Sequence, residues 1–360
     1  MIHAAYSDLK LAWHQDRMND MRDGKRPKPI ELQFVISDLC NHDCHWCAYR
    51  ASNGLSSSNF GEKQADGTVE KNPKRMIPFH KAREILDDGI EIGARSVIFT
   101  GGGEPTVHPQ HMELFSHALE LGYDCALNTN GQVLRRGWEA VLPRFTYVRF
   151  SVDAANSEEY AKARRVAHSI YGRVLDNITS VVKASPKTTV GAGYVVTPDN
   201  YVNLLEGVSR LRDTGVSYVR LAAMQSTEGA KVYGEKWDSA KWTARDVAFR
   251  LSCDGFSVVN LVDDSLFGVA PDYKKCGFQY VTIYIGADLN IYRCCYTAYS
   301  DLGTVGSIKD RRFAEWFRSD EASKSYDGFD ARACSWCPLD GKNRVIQYMT
   351  DPAPVHVNFV

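Results

Sequence analysis

The sequence lacks an apolar segment of about 20 residues, the length that a helix needs to cross a bilayer. It also lacks an excess of one charge, because 43 Lys and Arg stand against 44 Asp and Glu and the formal net charge is −1. Proteins that bind nucleic acid usually carry a basic excess, so this balance does not favour such a partner. The first 33 residues are charged throughout and contain no apolar run typical of a signal peptide. We therefore expect a cytoplasmic protein.

Disulfide bonds are not expected either, because a cytoplasmic chain usually keeps its thiols reduced. The 360 residues nevertheless include ten cysteines, and seven of them fall into a close triplet and a dispersed C-terminal quartet. Clusters of this kind are typical of metal or iron–sulfur ligation. The length and an ordinary composition, 44% hydrophobic and 24% charged, fit one large α/β domain with a smaller one.

The triplet lies in "CNHDCHWC", residues 40–47, with C-x3-C-x2-C spacing and no fourth cysteine nearby. Three thiolates can hold three irons of a [4Fe–4S] cube and leave the fourth iron open for a small chelating molecule. A zinc site on the same triplet would need a fourth ligand, for which His42, Asp43 and His45 are candidates. The residues alone leave both alternatives open, and we expect the iron–sulfur cluster.

Strand and helix patterns alternate from residue 31 to residue 223. Repeated βα units predict a parallel sheet with right-handed crossovers, and six units predict an open, partial (β/α)6 barrel. Chemistry in such sheets lies at the carboxyl ends of the strands. The triplet, "GGGEPT" (101–106), "NTNG" (128–131) and "SVD" (151–153) all fall at predicted strand ends. The predicted strands are 31–37, 96–100, 124–129, 147–153, 188–196 and 217–223.

Three regions are expected along the chain. Residues 1–30 form an N-terminal amphipathic helix, over 1 to about 24, and a linker; 31–260 form the partial barrel; and 261–360 form a small α+β domain. In the last region "QYVTIYIGADLNIYRCCY" predicts a β-hairpin that turns at Gly286–Asn290. The long polar stretch 50–75 is either a surface insertion or a substrate lid.

The triplet resembles the signature of the radical S-adenosylmethionine (radical SAM) family, whose C-x3-C-x2-C loop follows the first barrel strand. Cys40, Cys44 and Cys47 match it, and Trp46 stands where the family usually has an aromatic residue. The resemblance implies that the three cysteines hold a [4Fe–4S] cluster and that S-adenosylmethionine chelates its open iron. Reductive cleavage would then give methionine and a 5′-deoxyadenosyl radical that takes a hydrogen atom from the substrate.

The other strand-end motifs resemble the same family. "GGGE" is similar to its GGE motif, which contacts the amino group of S-adenosylmethionine, and "NTNG" and "SVD" end the strands as they often do there. The family also pairs an arginine with the methionine carboxylate, and either Arg164 or its neighbour Arg165 stands in that place. The residues that the resemblance implies as S-adenosylmethionine contacts are Gly102, Gly103, Glu104, Asn128, Ser151 and Arg164.

The C-terminal quartet, with "ADLNIYRC" (287–294) inside it, resembles the SPASM/twitch extension of many radical SAM enzymes. The shorter twitch form holds one auxiliary [4Fe–4S] cluster on four cysteines, which here would be Cys276, Cys294, Cys334 and Cys337. A ligand swap between Cys294 and Cys295 and a four-cysteine zinc ribbon are the alternatives.

Cys125 and Cys253 lie outside both cysteine groups. The simpler interpretation makes them small buried residues. The alternative assigns to Cys253 the return of a hydrogen atom to a substrate radical.

The resemblance predicts a radical SAM oxidoreductase or isomerase that oxidises, epimerises or rearranges a small molecule or a peptide. A flavodoxin or ferredoxin would supply electrons. One alternative is an isomerase that acts on amino-acid-modified thymidine in phage-type DNA, for which Arg135–Arg136 and Lys309–Arg312 offer basic groups, although the net charge argues against it. A second alternative is a non-catalytic iron–sulfur or zinc scaffold. The SAM-site motifs disfavour it, because a scaffold needs no SAM pocket.

Overall fold

The computed structural model describes residues 5–49, 61–63, 69–71, 75–226, 228–263 and 270–352, with the backbone alone for 61–63 and 69–71. Among these residues, no helix combines the length and the apolar character that a bilayer-spanning segment requires. Most of the predicted loop 50–75 lies outside the described residues. Its two described pieces pair as short antiparallel strands.

Twelve strands are present in the described residues, and all but β2 and β3 belong to one sheet. They are β1 (Glu31–Val35), β2 (Gly61–Lys63), β3 (Val69–Lys71), β4 (Ser96–Thr100), β5 (Asp124–Thr129), β6 (Tyr147–Ser151), β7 (Thr189–Val196), β8 (Tyr218–Ala223), β9 (Ser257–Leu261), β10 (Thr282–Ile285), β11 (Asn290–Tyr292) and β12 (Thr304–Ser307). The large sheet has the order β12-β11-β10-β1-β4-β5-β6-β7-β8-β9. Its pairs from β10 to β9 are parallel, and no described pair joins its two edges, so the predicted open α/β barrel is confirmed.

Helices connect the parallel strands as the alternating pattern predicts. In chain order they are α1 (Gln15–Arg22), α2 (Phe79–Glu91), α3 (His111–Glu120), α4 (Ser157–Arg164), α5 (Ser169–Ala184), α6 (Leu204–Asp213), α7 (Trp237–Leu251), α8 (Phe278–Val281), α9 (Phe313–Phe317), α10 (Asp320–Asp327) and α11 (Asp340–Thr350). The N-terminal segment is not one continuous helix. A 3-10 turn over Asp8–Trp13 is separated from α1 by His14, whose φ of −115° and ψ of 47° interrupt the helical backbone.

Alternation along the strands gives the sheet two different faces, because successive side chains point to opposite sides. In β6, Val148 and Phe150 are completely buried in the apolar core, whereas Tyr147, Arg149 and Ser151 alternate with them and are partly exposed. The apolar set packs into the core between sheet and helices. The intervening polar set therefore lies on the opposite, inner face, where it can line a cavity.

The predicted C-terminal hairpin extends the main sheet at β1. β10 pairs with β1 in parallel, β11 pairs with β10 antiparallel, and β12 adds a third strand. This C-terminal segment also reaches the cysteine loop, because the Tyr299 hydroxyl donates to the buried Asp38 carboxylate at 2.6 Å. The division of the chain at residue 260 stays a prediction.

Candidate active site

A cavity of about 400 Å³ opens at the carboxyl ends of the parallel strands. Its wall brings together residues from widely separated parts of the sequence, because parallel strands end at the same edge of a sheet. The predicted site residues among its lining are Cys40, Cys44, Cys47, Gly102, Gly103, Glu104, Asn128, Ser151 and Arg164.

Helix α4 positions the cysteine loop. Asn156 caps its first turn by accepting a hydrogen bond from the Glu159 N–H at 2.9 Å. At the other end, the carbonyl of Arg164 accepts from the Asp43 N–H at 3.0 Å, and the carbonyl of Ala163 accepts from the His45 N–H at 3.2 Å. The carbonyls that a helix leaves unpaired at its C-terminus thus hold the chain on both sides of Cys44.

The glycine-rich loop after β4 packs directly on the segment that precedes Cys40. The Glu104 N–H donates to the Leu39 carbonyl at 2.9 Å. A Cβ atom on Gly103 would lie 2.3 Å from the Leu39 carbonyl oxygen and 2.6 Å from that of Ser37. Only glycine allows this approach of two backbones, so Gly103 sets the spacing between the loop and the cysteines.

Replacing Gly103 with alanine is therefore expected to displace the cysteine loop. We expect iron incorporation and S-adenosylmethionine cleavage to fall by about tenfold or more, because one main chain must move by a distance comparable to a bond length. Gly172→Ala is the matched control, since a Cβ at that position in α5 meets no atom within 4 Å. Iron content like that of the wild type in Gly103→Ala would contradict this role.

Glu104 lines the cavity, and its carboxylate accepts hydrogen bonds from two neighbouring loops. One of its oxygens accepts from the Thr106 N–H at 3.0 Å, the Thr106 hydroxyl at 2.8 Å and the Thr129 hydroxyl at 2.7 Å. The other accepts from the Asn130 N–H at 2.7 Å. The carboxylate thus joins the loop after β4 to the end of β5. The contact between Glu104 and S-adenosylmethionine stays a prediction, and it would have to share these oxygens.

Arg164, not Arg165, is the arginine at the end of α4 that lines the cavity. It is 3% exposed and forms an ion pair with the buried Asp153, the residue that ends "SVD". Arg165 has φ 52° at the helix end and pairs on the surface with Asp43 at 2.9 Å. The left-handed turn at Arg165 separates the two side chains, which the sequence alone left exchangeable.

The side chains that zinc would need are engaged elsewhere. His42 Nε2 contacts the Gln132 side-chain oxygen at 2.8 Å, and its Nδ1 lies 3.3 Å from Arg164 Nη1. Burial and the charge of Arg164 lower the pKa of His42 to about 4, so the ring is neutral at pH 7. His45 packs edge-on against Trp46. Within the described residues, no three His, Cys, Asp or Glu side chains converge on one ion.

The cavity does offer features that suit a chelated nucleotide cofactor. Several residues of its wall have a buried polar atom without a hydrogen-bond partner, and two of these atoms are Asn128 Oδ1, an acceptor, and Arg164 Nε, a donor. An amino group or a ribose hydroxyl could donate to the first, and a carboxylate could accept from the second. The three thiols face the same cavity, and burial raises the pKa of Cys44 to about 12 against the opposing charge of Arg164. The residues therefore fit a three-cysteine cluster with S-adenosylmethionine.

The C-terminal quartet also comes together. Burial raises the pKa of Cys276 to about 12. The nearby thiols of Cys294, Cys337 and Cys334 also raise it. Cys294 likewise raises the pKa of Cys334 and of Cys337, so the four thiols lie within electrostatic range of one another. Cys295 is absent from these influences and instead lines the cavity. Cys294 is thus grouped with the other three cysteines, whereas Cys295 lines the cavity.

Cys253 does not join the site. It is exposed and lies before β9, where it bridges to Phe256 by backbone hydrogen bonds. The amino end of a parallel strand is at the edge of the sheet opposite to the cavity, and Cys253 is not among the cavity residues. A role in returning hydrogen to a substrate therefore has no geometric support here. Cys125 is buried in the core.

Among the residues of the cavity wall that sequence reasoning missed are Arg149, Arg220 and Cys295. The two arginines lie within predicted strands rather than at their ends. The alternation of polar and apolar residues along these strands could have identified them. Each arginine stands between two apolar neighbours, so its side chain must face away from the core.

Two of the basic residues considered for a nucleic-acid partner form ion pairs within the protein. Arg312 pairs with the buried Asp88, which also accepts from the Ala314 N–H at 2.9 Å. Arg311 pairs with Glu321 at 2.6 Å. The contacts of Asp88 connect the C-terminal segment to α2, so Arg312 has a structural role.

Comparison with known proteins identifies relatives of this chain. A model described as the radical SAM superfamily matches residues 34–218, slightly more than half of the chain. The tungsten-containing aldehyde ferredoxin oxidoreductase cofactor-modifying protein of Pyrococcus furiosus is 30% identical over 193 residues, 51% of this chain and 49% of that protein. The chain thus aligns with about half the length of that relative. Mycofactocin maturase MftC of Mycolicibacterium smegmatis is 26% identical over 324 residues, 86% of this chain and 75% of the relative.

Solved structures share the fold at low sequence identity. SuiB of Streptococcus suis bound to precursor peptide SuiA has a TM-score of 0.60 at 15% identity, over 92% of this chain and 74% of that one. Native anSMEcpe with bound S-adenosylmethionine has a TM-score of 0.59 at 17% identity, over 87% and 89%.

Proposed function

The chain belongs to the radical SAM superfamily, and on this basis we propose that it is an enzyme that cleaves S-adenosylmethionine reductively and acts on a peptide. Cys40, Cys44 and Cys47 would hold the [4Fe–4S] cluster. When bound, that cluster supplies the electron that cleaves S-adenosylmethionine to a 5′-deoxyadenosyl radical, which takes a hydrogen atom from the substrate. Around it, Gly102 and Gly103 present backbone, and Asn128, Ser151 and Arg164 present polar side chains to the nucleotide.

One observation carries this proposal, which is that the cysteine loop, the glycine-rich loop and the strand-end polar residues line a single cavity. A scaffold that binds a partner would need the thiols but not the other elements. Two of the buried polar atoms without partners, Asn128 Oδ1 and Arg164 Nε, lie at predicted cofactor residues and support a bound ligand in particular. A buried polar group without a hydrogen bond costs stability, so such groups are expected where a ligand completes them.

We assign an auxiliary [4Fe–4S] cluster to Cys276, Cys294, Cys334 and Cys337. The electrostatic influence of these thiols on one another favours the assignment. The Asn343 amide also donates a hydrogen bond to the Cys337 sulfur at 3.7 Å, which would stabilise a thiolate ligand. Cys294 and Cys295 are consecutive, so the auxiliary site and the cavity are one residue apart along the chain. This short path suits exchange of an electron between that cluster and a substrate radical.

A peptide is the substrate class that the relatives favour. The maturase relative matches most of this chain, and a protein of the same fold has been crystallised with a precursor peptide. A cavity at the edge of the sheet, lined by loops, can admit one residue of a longer chain. A flavodoxin or ferredoxin would supply the electrons, and the cytoplasm would supply the reducing environment.

Anaerobic reconstitution with iron and sulfide, followed by dithionite and S-adenosylmethionine, tests the proposal. We expect release of 5′-deoxyadenosine and methionine, measured by chromatography with mass detection, and an increased rate when the peptide substrate is added. A well-formed cluster that binds S-adenosylmethionine but releases no 5′-deoxyadenosine would favour the scaffold. A response to DNA and not to peptides would favour the nucleobase isomerase.

A further inference from the structure

Two arginines in the middle of parallel strands line the same cavity as the predicted cofactor residues. Arg149 lies on β6 and Arg220 on β8, and both line the cavity. Between them β7 has glycine at the facing positions, since Arg149 is opposite Gly191 and Arg220 is opposite Gly193.

The missing side chains on β7 allow Arg149 to lie across that strand. Its Cδ and Nε atoms come within 3.6 and 3.8 Å of the position that a Cβ on Gly193 would occupy. Arg149 therefore reaches over Gly193 towards Arg220, which is the Cα partner of that glycine. After burial, the charge of Arg149 is the largest influence that lowers the pKa of Arg220.

Within the part of the chain that the structure describes, neither guanidinium has a carboxylate partner. Among the described residues, Arg149 and Arg220 take part in no ion pair. The acidic residues of the cavity wall are already engaged, Asp153 by Arg164 and Glu104 by four hydrogen bonds. Arg220 Nε is buried without any hydrogen-bond partner. After burial, the strongest influences on Arg149 come from the tyrosines Tyr147, Tyr6 and Tyr218, and none of these is a carboxylate.

Two like charges held together without a counter-charge destabilise a folded chain. A structural role would be expected to provide a carboxylate partner, as Asp153 does for Arg164. An unbalanced pair inside a cavity is instead expected where a bound molecule brings the negative charge.

From this arrangement we propose that Arg149 and Arg220 bind a carboxylate group of the substrate. The inference rests on the proposed function and deepens it, because it states which chemical group the substrate presents to the inner end of the cavity. In a peptide substrate this group is the C-terminal carboxylate or an acidic side chain, and the two planar guanidinium groups can each meet its oxygens with paired hydrogen bonds.

The surroundings favour a carboxylate over a phosphate. Phosphate sites commonly use free backbone N–H groups at helix N-termini or in turns. Arg149 and Arg220 lie inside parallel strands, where the backbone groups are paired between neighbouring strands. The site thus offers side-chain donors only, and these suit the two oxygens of a carboxylate.

The test compares N-acetylglycine, N-acetylglycinamide and methyl phosphate as probes on the reconstituted protein, at constant ionic strength. Binding is measured by equilibrium dialysis and by the shift in Tm. The variants are Arg149→Gln, Arg220→Gln and Arg220→Lys, and the matched control is Arg250→Gln on the surface of α7, where Arg250 pairs with Asp246. S-adenosylmethionine affinity is measured in parallel.

We expect the wild type and Arg250→Gln to bind N-acetylglycine at least about tenfold more tightly than the amide, and each glutamine variant to lose this preference. Arg220→Lys should keep part of it. The Tm of the glutamine variants without probe should be unchanged or higher, since one of two repelling charges is removed.

Three results would overturn the inference. A lower Tm in both glutamine variants with unchanged probe binding would make the arginines structural. Loss of S-adenosylmethionine affinity in parallel with the probe would assign them to the cofactor. A preference for methyl phosphate over N-acetylglycine would exclude the carboxylate. Because these measurements need no turnover, they remain decisive even if the protein releases no 5′-deoxyadenosine, which would contradict the proposed function alone.

Discussion

Replacing Cys44 with alanine is expected to abolish release of 5′-deoxyadenosine, by at least about a thousandfold. Cys44 is the central cysteine of the triplet, and hydrogen bonds from both of its flanks to the end of α4 hold it at the cavity. The cluster needs three thiolates, one for each iron other than the open one. With two thiolates left, the cluster should be lost or inactive. Iron and sulfide analysis, electron paramagnetic resonance after reduction, and product chromatography measure the effect.

Cys125→Ala is the control for this substitution. Cys125 is a buried core residue of β5 and lies outside both cysteine groups, so its replacement should cost some stability and no iron. Normal turnover by Cys44→Ala, with full iron content in both variants, would show that the triplet is not the site of S-adenosylmethionine cleavage.

Cys334→Ala is expected to separate cofactor cleavage from product formation. It removes one ligand of the quartet and leaves the cavity wall intact, because Cys334 is not among the cavity residues. The iron content should fall from about eight to about four per chain. Uncoupled release of 5′-deoxyadenosine should continue, while formation of modified substrate should fall by about a hundredfold or more, since the substrate radical loses its electron acceptor.

Metal analysis distinguishes an auxiliary [4Fe–4S] cluster from a zinc ribbon at the quartet. A zinc ribbon would give one zinc per chain in the wild type and an unchanged iron content in Cys334→Ala. Cys295→Ala serves as the neighbouring comparison, because the geometry places Cys295 outside the quartet. If Cys295→Ala lost iron and Cys294→Ala did not, the assignment of the fourth ligand would be reversed.

Local patterns were sufficient for most of the fold. Each of the six predicted strands is present within a few residues of its expected bounds, because alternating βα units leave strong period signals. The prediction of a single helix for the N-terminal segment was wrong. Apolar spacing over residues 9–18 is compatible with a helix, but it contains no information about the non-helical backbone at His14.

The chemistry at the strand ends follows from local features of the chain. The spacing of three cysteines, a glycine-rich turn and polar residues after successive strands are all visible in short stretches of sequence. The rule that parallel strands share one carboxyl edge brings these stretches together. The triplet, the glycine-rich loop and the pair Arg164 and Arg165 could therefore be identified from the amino-acid order.

The choice between neighbouring residues and between charge partners depends on the three-dimensional fold. Arg164 and Arg165 differ by the left-handed turn at the helix end, and of Cys294 and Cys295 only the second lines the cavity. The approach of Arg149 to Arg220 depends on strand register and on the glycine between them on β7. Which charges meet, and which stay without a partner, depends on distances between chain segments remote in sequence, and local patterns do not contain those distances.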